Sequence, residues 1–468
     1  TERRAAERDM RAGHIDGIIA TSALELGVDI GSLDVVVLTG YPGTVAATWQ
    51  RFGRAGRRQQ PSLGVLVASS QPLDQYVVRH PDFFADAPPE HARIAPDQPL
   101  ILFDHIRCGS FELPFLVGEA FGPIDPAVYL QALAETEVLH REGERWEWIA
   151  DSYPAQAVSL RSVADGNFVV VDKTDGRQLI LCEVDYSAAA LTLYEGAIHM
   201  VQSTPYQVER LDWEGRKAYV TRTYVDYYTD SIDFTRLKVL ERFDGCEAGG
   251  GDAHHGEVHV VRRVAGYKKI RYYTHENIGY GPVNLPDQEL HTTAVWWQLP
   301  QAVLLKAFAS KQDALDGFLG AAYALHVVAT VAVMADARDL QQSVGNGDGA
   351  WFATQDGKGN GRAQDATGQA VSMAGIGAKE FTPVESRQFV PTVYLYDNFP
   401  GGVGLSEPLW QRQAELVQRA RELVQRCDCA AGCPACVGPV LAASETGQAA
   451  TPKSVALRVL DLLAKVQA

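Results

Sequence analysis

The sequence predicts a multidomain chain mixing α/β and α+β units, and three observations carry that expectation. Two short, unbroken, β-branched runs, Gly17–Ala20 and Val35–Leu38, suit strands buried on both faces of a parallel sheet. Between Tyr153 and Phe243, β-rich runs split by turns such as Asp165-Gly166-Asn167 and Asp175-Gly176 suit a small β-barrel or sandwich. Near the C-terminal end come a strand, a glycine turn, an amphipathic helix and four cysteines packed into Cys427–Cys436. With 468 residues, 46% of them hydrophobic and 21% charged, the chain has enough apolar surface for several cores. Single cores rarely grow past ~250–300 residues, so three or four domains are expected.

Thr1–Arg11 reads as a charged amphipathic helix, and Thr21–Asp34 as a loop and short helix between the two apolar runs. After the second run the chain passes through Tyr41-Pro42-Gly43-Thr44 into a helix. That helix delivers Gln50, Arg51, Arg54, Arg57 and Arg58 around a Gly-Arg-Ala-Gly-Arg core. Guanidinium groups are planar, permanently charged and bidentate, and glycines let the backbone come close to a ligand, which is what a polyphosphate requires. A plain α/β lobe with a basic helix face explains the strands, but not the spacing Gln-x-x-Gly-Arg-x-Gly-Arg.

Those residues resemble a known family. ATSALELGVDIG is similar to motif V of superfamily 2 helicases and QRFGRAGR to motif VI, while the GYPG link with Trp49 resembles the mitomycin-repair-factor-A-like branch. The resemblance implies that residues 1–87 are the C-terminal part of the second RecA-like lobe. It implies further that Thr21 touches the nucleic-acid backbone and that Gly27 and Asp29 lie near a bound nucleotide. Gln50, Arg54 and Arg57 fall in motif VI, with Arg54 and Arg57 as candidate arginine fingers. No Gly-x-x-x-x-Gly-Lys-Ser/Thr loop and no Asp-Glu-x-His pair occurs in the sequence. The chain is therefore expected to be the C-terminal portion of an ATP-dependent helicase whose ATP and magnesium need another lobe.

Past the lobe, Pro88, Pro89, Pro96 and Pro99 mark a boundary. Helices over Leu100–Glu112 and Asp125–Glu137, the latter capped by Asp125, and a hairpin over His140–Ile149 around Gly143 suggest a winged helix in 88–152. It could meet duplex DNA at a fork, or serve as a spacer. The small β-barrel is assigned to 153–245. A glycine-rich linker, Gly249-Gly250-Gly251, then carries His254-His255, which reads as an exposed loop pair with metal ligation as the alternative.

Glu257–Thr274 interleaves Arg262, Arg263, Lys268, Lys269 and Arg271 with Tyr267, Tyr272 and Tyr273. Cations mixed with stacking faces suit single-stranded or forked DNA. The alternative is a solvated hairpin whose tyrosines are core. The net charge of −16 excludes a protein coated in basic surface and confines such contacts to local grooves.

Leu290–Trp297 reads as a strand, Gln301–Gln341 as a long helical region, and Gly345–Gly368 as a mobile low-complexity loop. Within the helical region, Phe318–Ala335 is apolar but interrupted by polar residues and short for a span, so it reads as a buried core helix and not a membrane anchor. Thr392–Tyr396 is a strand, followed by the turn Asp397–Gly402 and a helix over Ser406–Arg426. The glycine turn reads as a tight turn, with anion binding at a helix N-terminus as the alternative.

Seven cysteines, four of them clustered, and a TERRAAERDM opening without an apolar h-region suggest a reduced, cytoplasmic protein with metal-bound thiols. Cys427, Cys429, Cys433 and Cys436 can wrap one zinc through the flexible Ala-Ala-Gly link. A redox dithiol pair and an iron–sulfur cluster remain as alternatives. Cys-x-Cys is tighter than the usual Cys-x-x-Cys. YDNFPGGVG, the helix and CxCxxxCPxC together resemble the C-terminal zinc-binding domain of the same helicase branch, assigned to 246–468 with a structural zinc. The family's usual further cysteine after Cys436 is absent.

The resemblance implies an ATP-dependent DNA helicase that moves 3′ to 5′ and is linked to DNA repair. A different class of function, a non-catalytic DNA-binding and docking module separable from a motor, is the alternative.

Overall fold

A charged helix, α1 (Glu2–Ala12), opens the chain and leads into irregular, exposed residues at 17–21. The computed structural model describes residues 2–21, 33–56, 61–69, 72–82, 97–158, 166–176, 178–248, 251–274, 276–346, 362–364, 370–372, 389–438 and 450–465. The strand expected at Gly17–Ala20 is absent, and Ile19 stands in solvent. Among the described residues β1 (Val35–Thr39) pairs only with β2 (Leu63–Val67), in parallel.

Burial on both faces also fails for β1. Leu38 is buried, but Val35 and Val37 on the opposite face are 49% and 58% exposed. Next comes α2 (Val45–Phe52), capped by Thr44, whose hydroxyl accepts the Ala47 N–H at 3.1 Å. It stops at Gly53, so Gln50 and Arg51 are helical, Arg54 follows the helix, and Arg57 and Arg58 lie outside the described residues. Helix α3 (Pro72–Arg79) completes the lobe.

In the next unit α4 (Pro99–Glu112) starts on Gln98, whose side-chain oxygen accepts the Ile101 N–H at 2.8 Å. After β3 (Phe115–Leu116) comes α5 (Ala127–Glu135), where Pro126 takes the cap position and Asp125 accepts the Ala127 N–H. The expected hairpin is β4 (Leu139–Glu142) with β5 (Arg145–Trp148), extended by β3 into a three-stranded sheet. Leu102, Ile106, Leu130, Leu133 and Trp146 form its core.

The expected barrel is an open sheet among the described residues. Its strands are β6 (Asn167–Asp172), β7 (Leu179–Asp185), β8 (Ile198–Val201), β9 (Thr204–Asp212) and β10 (Lys217–Arg222), ordered β7-β6-β10-β9-β8, with α6 (Tyr186–Thr192) following β7. Residues 159–165, at the start of the β-rich stretch expected from Tyr153, lie outside the described residues.

The largest departure from expectation follows. Strand β11 (Tyr227–Ala248) pairs antiparallel with β12 (Gly251–Arg271) along nearly its whole length, so the domain boundary expected at 245/246 falls inside a strand. Gly251 of the supposed glycine linker already belongs to β12 and pairs with Ala248, while Gly249 and Gly250 lie outside the described residues. His254 and His255 are accordingly buried strand residues, not an exposed loop pair: β12 pairs with β14 (Gln288–Gln298) on its other edge, His254 packs against the Trp296 ring, and His255 against Trp410 and Ser406.

The sheet continues through β18 (Pro391–Asp397) to β15 (Leu340–Asn346), with β13 (Asn277–Pro282) beside the end of β12. The expected helical region divides into α7 (Gln301–Ala307) and α8 (Lys311–Val333), and Leu340-Gln341 belong to β15. Of the stretch expected as a mobile loop, Gly345 and Asn346 instead end β15, and β16 (Arg362–Gln364) pairs with β17 (Ala370–Ser372), which lies just beyond it, while its other residues lie outside the described ones.

Helices α9 (Ser406–Gln411), α10 (Gln413–Gln425), α11 (Pro434–Val437) and α12 (Pro452–Ala464) complete the fold. α8 is long and apolar enough to cross a membrane, yet most of it is buried against this sheet and α12. Gly317 makes that approach possible, since a Cβ there would meet the Val455 carbonyl oxygen at 2.7 Å.

Candidate metal centre and arginine segment

Helix α10 buries Leu416, Val417, Ala420 and Val424 against α8 and α12, and it releases the chain at Cys427 over the same core. Cys427 and Cys436 are buried, Cys429 and Cys433 half-buried. Their sulfurs lie within 4.8 Å of one another, with Cys427–Cys433 at 3.6 Å, Cys429–Cys436 at 3.5 Å and Cys433–Cys436 at 3.8 Å. A tetrahedron with metal–sulfur bonds of ~2.3 Å has edges of about 3.8 Å. A disulfide needs about 2.05 Å. The four thiols therefore suit one tetrahedral metal ion, and none of them is paired as a disulfide.

Local sequence builds this geometry. Pro434 opens the one-turn α11, which folds the Cys433 N–H back onto the Cys436 sulfur at 3.4 Å. Gly432 in the link has φ +114°, and a Cβ there would sit 3.0 Å from the Lys453 nitrogen. Lys453, at the start of α12, donates to the Cys427 and Cys429 carbonyls at 2.5 and 3.0 Å. Burial pushes the Cys436 and Cys429 thiols up. Burial raises Cys427 too, but donation from the Arg79 guanidinium and its neighbours outweighs this and holds it at about 6. Thiols this close ionise together only around a cation.

At the other end of the chain, Ala55 bridges to Leu33 and the Gly56 N–H reaches the Leu33 carbonyl, which pins the arginine segment beside β1. Gln50 is exposed and Arg54 half-buried. Thr21 is exposed at the end of the irregular stretch, while Gly27, Asp29 and Arg57 lie outside the described residues.

The basic hairpin divides by burial. Tyr267 is core, stacked on Tyr194 at 5.0 Å, and so has no free face for a base, and Lys268 is buried. Lys269 lies over the Tyr227 ring, and Arg271 pairs with Asp226 and Glu276. Tyr273, at the end of the strand, is fully exposed.

Two features escaped the sequence reading. The first is Arg79, inside PLDQYVVRH, whose partner is far away in sequence. The second is a cleft of about 460 Å³ between Asp97–Pro99 and the glycine turn, lined also by His255, Thr293, Ser406 and Glu407. The His255 Nε2 lies 3.2 Å from the Ser406 hydroxyl and its Nδ1 3.4 Å from Glu407. This resembles a hydrolase relay, but the turn offers no oxyanion site. The Val403 and Leu405 N–H groups are spent on the buried Asp397 carboxylate, and those of Gly401 and Gly402 on backbone carbonyls. The turn's anion is the chain's own aspartate.

Comparison with known proteins agrees with both ends of the molecule. Residues 321–437 match the family described as MrfA Zn-binding domain, and residues 1–59 match the helicase conserved C-terminal domain. The chain is 40% identical over 438 residues to a protein named uncharacterized ATP-dependent helicase YprA, from Bacillus subtilis, covering 93% of this chain and 53% of that protein. It is 28% identical over 447 residues to the ATP-dependent helicase HRQ1 of Saccharomyces cerevisiae, covering 93% of this chain and 38% of that one. A crystal structure of the DUF1998 helicase MrfA bound to DNA superposes with a TM-score of 0.58 at 38% identity, covering 98% of this chain and 56% of that one. The chain thus spans about half the length of these relatives, or less. It belongs to the MrfA-like branch of superfamily 2 helicases and corresponds to their C-terminal part, zinc-binding domain included.

Proposed function

We propose that the chain works as the C-terminal part of an ATP-dependent DNA helicase that moves 3′ to 5′ on DNA and serves DNA repair in the reducing cytoplasm. The observation that carries this reading is a shared core: α3 of the arginine-bearing lobe buries Tyr76 and Val77 in the same cluster as Cys427, Cys436 and Val437. In this reading Arg54 and Arg57 stabilise charge on a transferred phosphoryl group, Gln50 helps to place the attacking water, and Gly27 and Asp29 border the nucleotide. The phosphate loop and the magnesium-binding acid come from another lobe. Zinc supplies a fixed cross-link through Cys427, Cys429, Cys433 and Cys436.

Single-stranded or forked DNA meets Thr21 in the lobe and Lys269, Arg271 and Tyr273 at the end of β12. Tyr267 and Lys268 are buried on opposite faces of that strand and anchor it. The unit of α4, α5 and β3–β5 acts as a winged helix at the fork. A second reading from a different class is a non-catalytic DNA-binding and docking module separable from the motor.

ATPase assays separate the two. The 468 residues alone should hydrolyse no ATP, and joined to a lobe with a phosphate loop they should show DNA-stimulated turnover. In that longer protein Arg54→Ala should lower kcat by roughly 10³-fold, the range of arginine fingers, with DNA affinity nearly intact. Turnover that survives Arg54→Ala would favour the docking module.

A further inference from the structure

Asp74 lies in the first turn of α3 and is only 6% exposed. A carboxylate taken out of water needs donors around it. Its two oxygens find them in two different loops. One accepts the Tyr41 N–H at 3.1 Å, after β1, and the other the Ser69 N–H at 2.7 Å, after β2. The next residue of α3, Gln75, donates to the Ser69 carbonyl at 2.7 Å, so α3 holds both backbone polar groups of Ser69. Between the two loops the Gly40 N–H reaches the Val67 carbonyl at 2.8 Å. The carboxyl ends of both parallel strands are thus gathered onto α3, and that edge is where open α/β sheets bind ligands.

Tyr41 connects this knot to the arginine segment on one side and to the zinc-binding domain on the other. The chain runs from Tyr41 through Pro42 and Gly43 to Thr44, which caps α2. The Tyr41 side chain packs against the same core that α3 enters with Tyr76 and Val77. Gly43 lies against that domain too, since a Cβ there would sit 3.4 Å from the Asp336 carboxylate. The far end of α2 rests on β2, where a Cβ on Gly64 would meet the Phe52 ring at 2.9 Å, and past Arg54 the Gly56 N–H is fixed to the Leu33 carbonyl. Arg54 stands between that anchor and a helix whose entry is set at Tyr41.

We propose that Asp74 is a positioning residue for Arg54. By holding the Tyr41 loop on α3, whose other contacts lie in the core of the zinc-binding domain, it lets that core set where α2 begins and where the arginine points. The proposal rests on the reading of Arg54 as an arginine finger. Such a group stabilises charge only from the right place, and a misplacement of about 1 Å can cost roughly 10²-fold in rate.

Two measurements test it, one without ATP and one with. In the 468-residue chain, Asp74→Ala should speed amide exchange over Val45–Phe52 about 10–100-fold, the range for losing hydrogen bonds to a charged group. Exchange in β14 and β18 should not change. Asp74→Asn keeps the shape and one acceptor oxygen, so it should fall between, and it reports on the contact even where Asp74→Ala unfolds the lobe.

In the longer protein joined to a phosphate-loop lobe, Asp74→Ala should lower kcat by roughly 10²-fold with KM for ATP nearly unchanged, as expected when a group that acts in the transition state is misplaced. Adding Asp74→Ala to Arg54→Ala should cost little more than Arg54→Ala alone, because a residue that acts through Arg54 has nothing left to position. A merely structural role would add its own loss. Unchanged exchange in α2 for both Asp74 variants, or full additivity with Arg54→Ala, would overturn the proposal. Turnover indifferent to Arg54→Ala would instead overturn the arginine-finger reading, and the exchange of α2 would still decide whether Asp74 holds that helix.

Discussion

Strands of similar apolar sequence meet different fates in the two halves of this molecule. In β14 and β18 alternate side chains go to opposite faces and both faces are covered. Val295, Trp297, Val393 and Leu395 pack with α8, while Ala294, Trp296, Tyr394 and Tyr396 form a second cluster behind the sheet. In β1 only the face holding Leu38 is buried, and Val35 and Val37 point outward. Composition reports how much surface a strand can bury, at roughly 25 cal/mol per Å². Whether it does so depends on neighbours that the strand's own sequence does not name.

The sharpest way to test that contrast is to remove the staple from the well-covered half. The four cysteines sit in the cluster that also holds α8, α10 and α12. Structural zinc in small zinc domains contributes roughly 10–16 kcal/mol of apparent folding free energy. Cys433→Ser should therefore abolish stoichiometric zinc by elemental analysis and greatly lower the melting temperature of the C-terminal unit. Full zinc content and an unchanged melting curve in that variant would show that the core holds itself together without metal.

A smaller effect separates the two halves in the unaltered protein. Amides of β14 and β18 lie in a sheet covered on both faces and should open only with global unfolding. Those of β1 and β2 sit in a two-stranded pair with one open face and should open locally. Exchange should be at least about 10³-fold faster in β1 and β2, equivalent to roughly 4 kcal/mol. Equal protection would mean that the open face of β1 costs that pair nothing.

What the sequence made legible follows the range of the interactions involved. The cysteine cluster spans ten residues, and its alternatives narrowed as soon as the sulfurs were seen at tetrahedral spacing. The hairpin of β4 and β5 and the helices α4 and α5 were legible because caps and turn glycines act locally. Long-range pairing was not. Gly249–Gly251 looked like a linker because nothing local says that β11 and β12 continue on both sides of it. The burial of His254 and His255 depends on Trp296, Trp410 and Ser406, all far along the chain. Tyr267 and Lys268 were read as one surface with Lys269 and Arg271, although both are buried, Tyr267 against Tyr194, by residues that lie far away in sequence. Arg79 carried no local signal, since its partner sulfur belongs to the far end of the chain.

Each half also holds a buried aspartate as an internal anion. Asp74 serves the loops of the arginine-bearing lobe, and Asp397 fills the glycine turn, with its carboxylate accepting the Val403 N–H at 2.7 Å and the Leu405 N–H at 3.1 Å. Asp397 is completely buried. Burial pushes its carboxyl up to about 6, against the opposing pull of those N–H donors.

The sign follows from linkage. A carboxyl whose folded value is raised favours the folded state fully below its unfolded value near 4, and loses that contribution as pH rises through the folded value. Between pH 5 and pH 8 the loss should be on the order of 1–2 kcal/mol. Asp397→Asn cannot titrate, so this part of the pH dependence should vanish from it. It should be less stable than the unaltered chain at pH 5, and the gap should narrow by that amount at pH 8. Comparing the two proteins by denaturant titration at each pH cancels the titration of the cysteine cluster, which both share. A gap that stays constant from pH 5 to pH 8 would mean that the four N–H donors around the turn hold Asp397 ionised throughout, and that donors outweigh burial there.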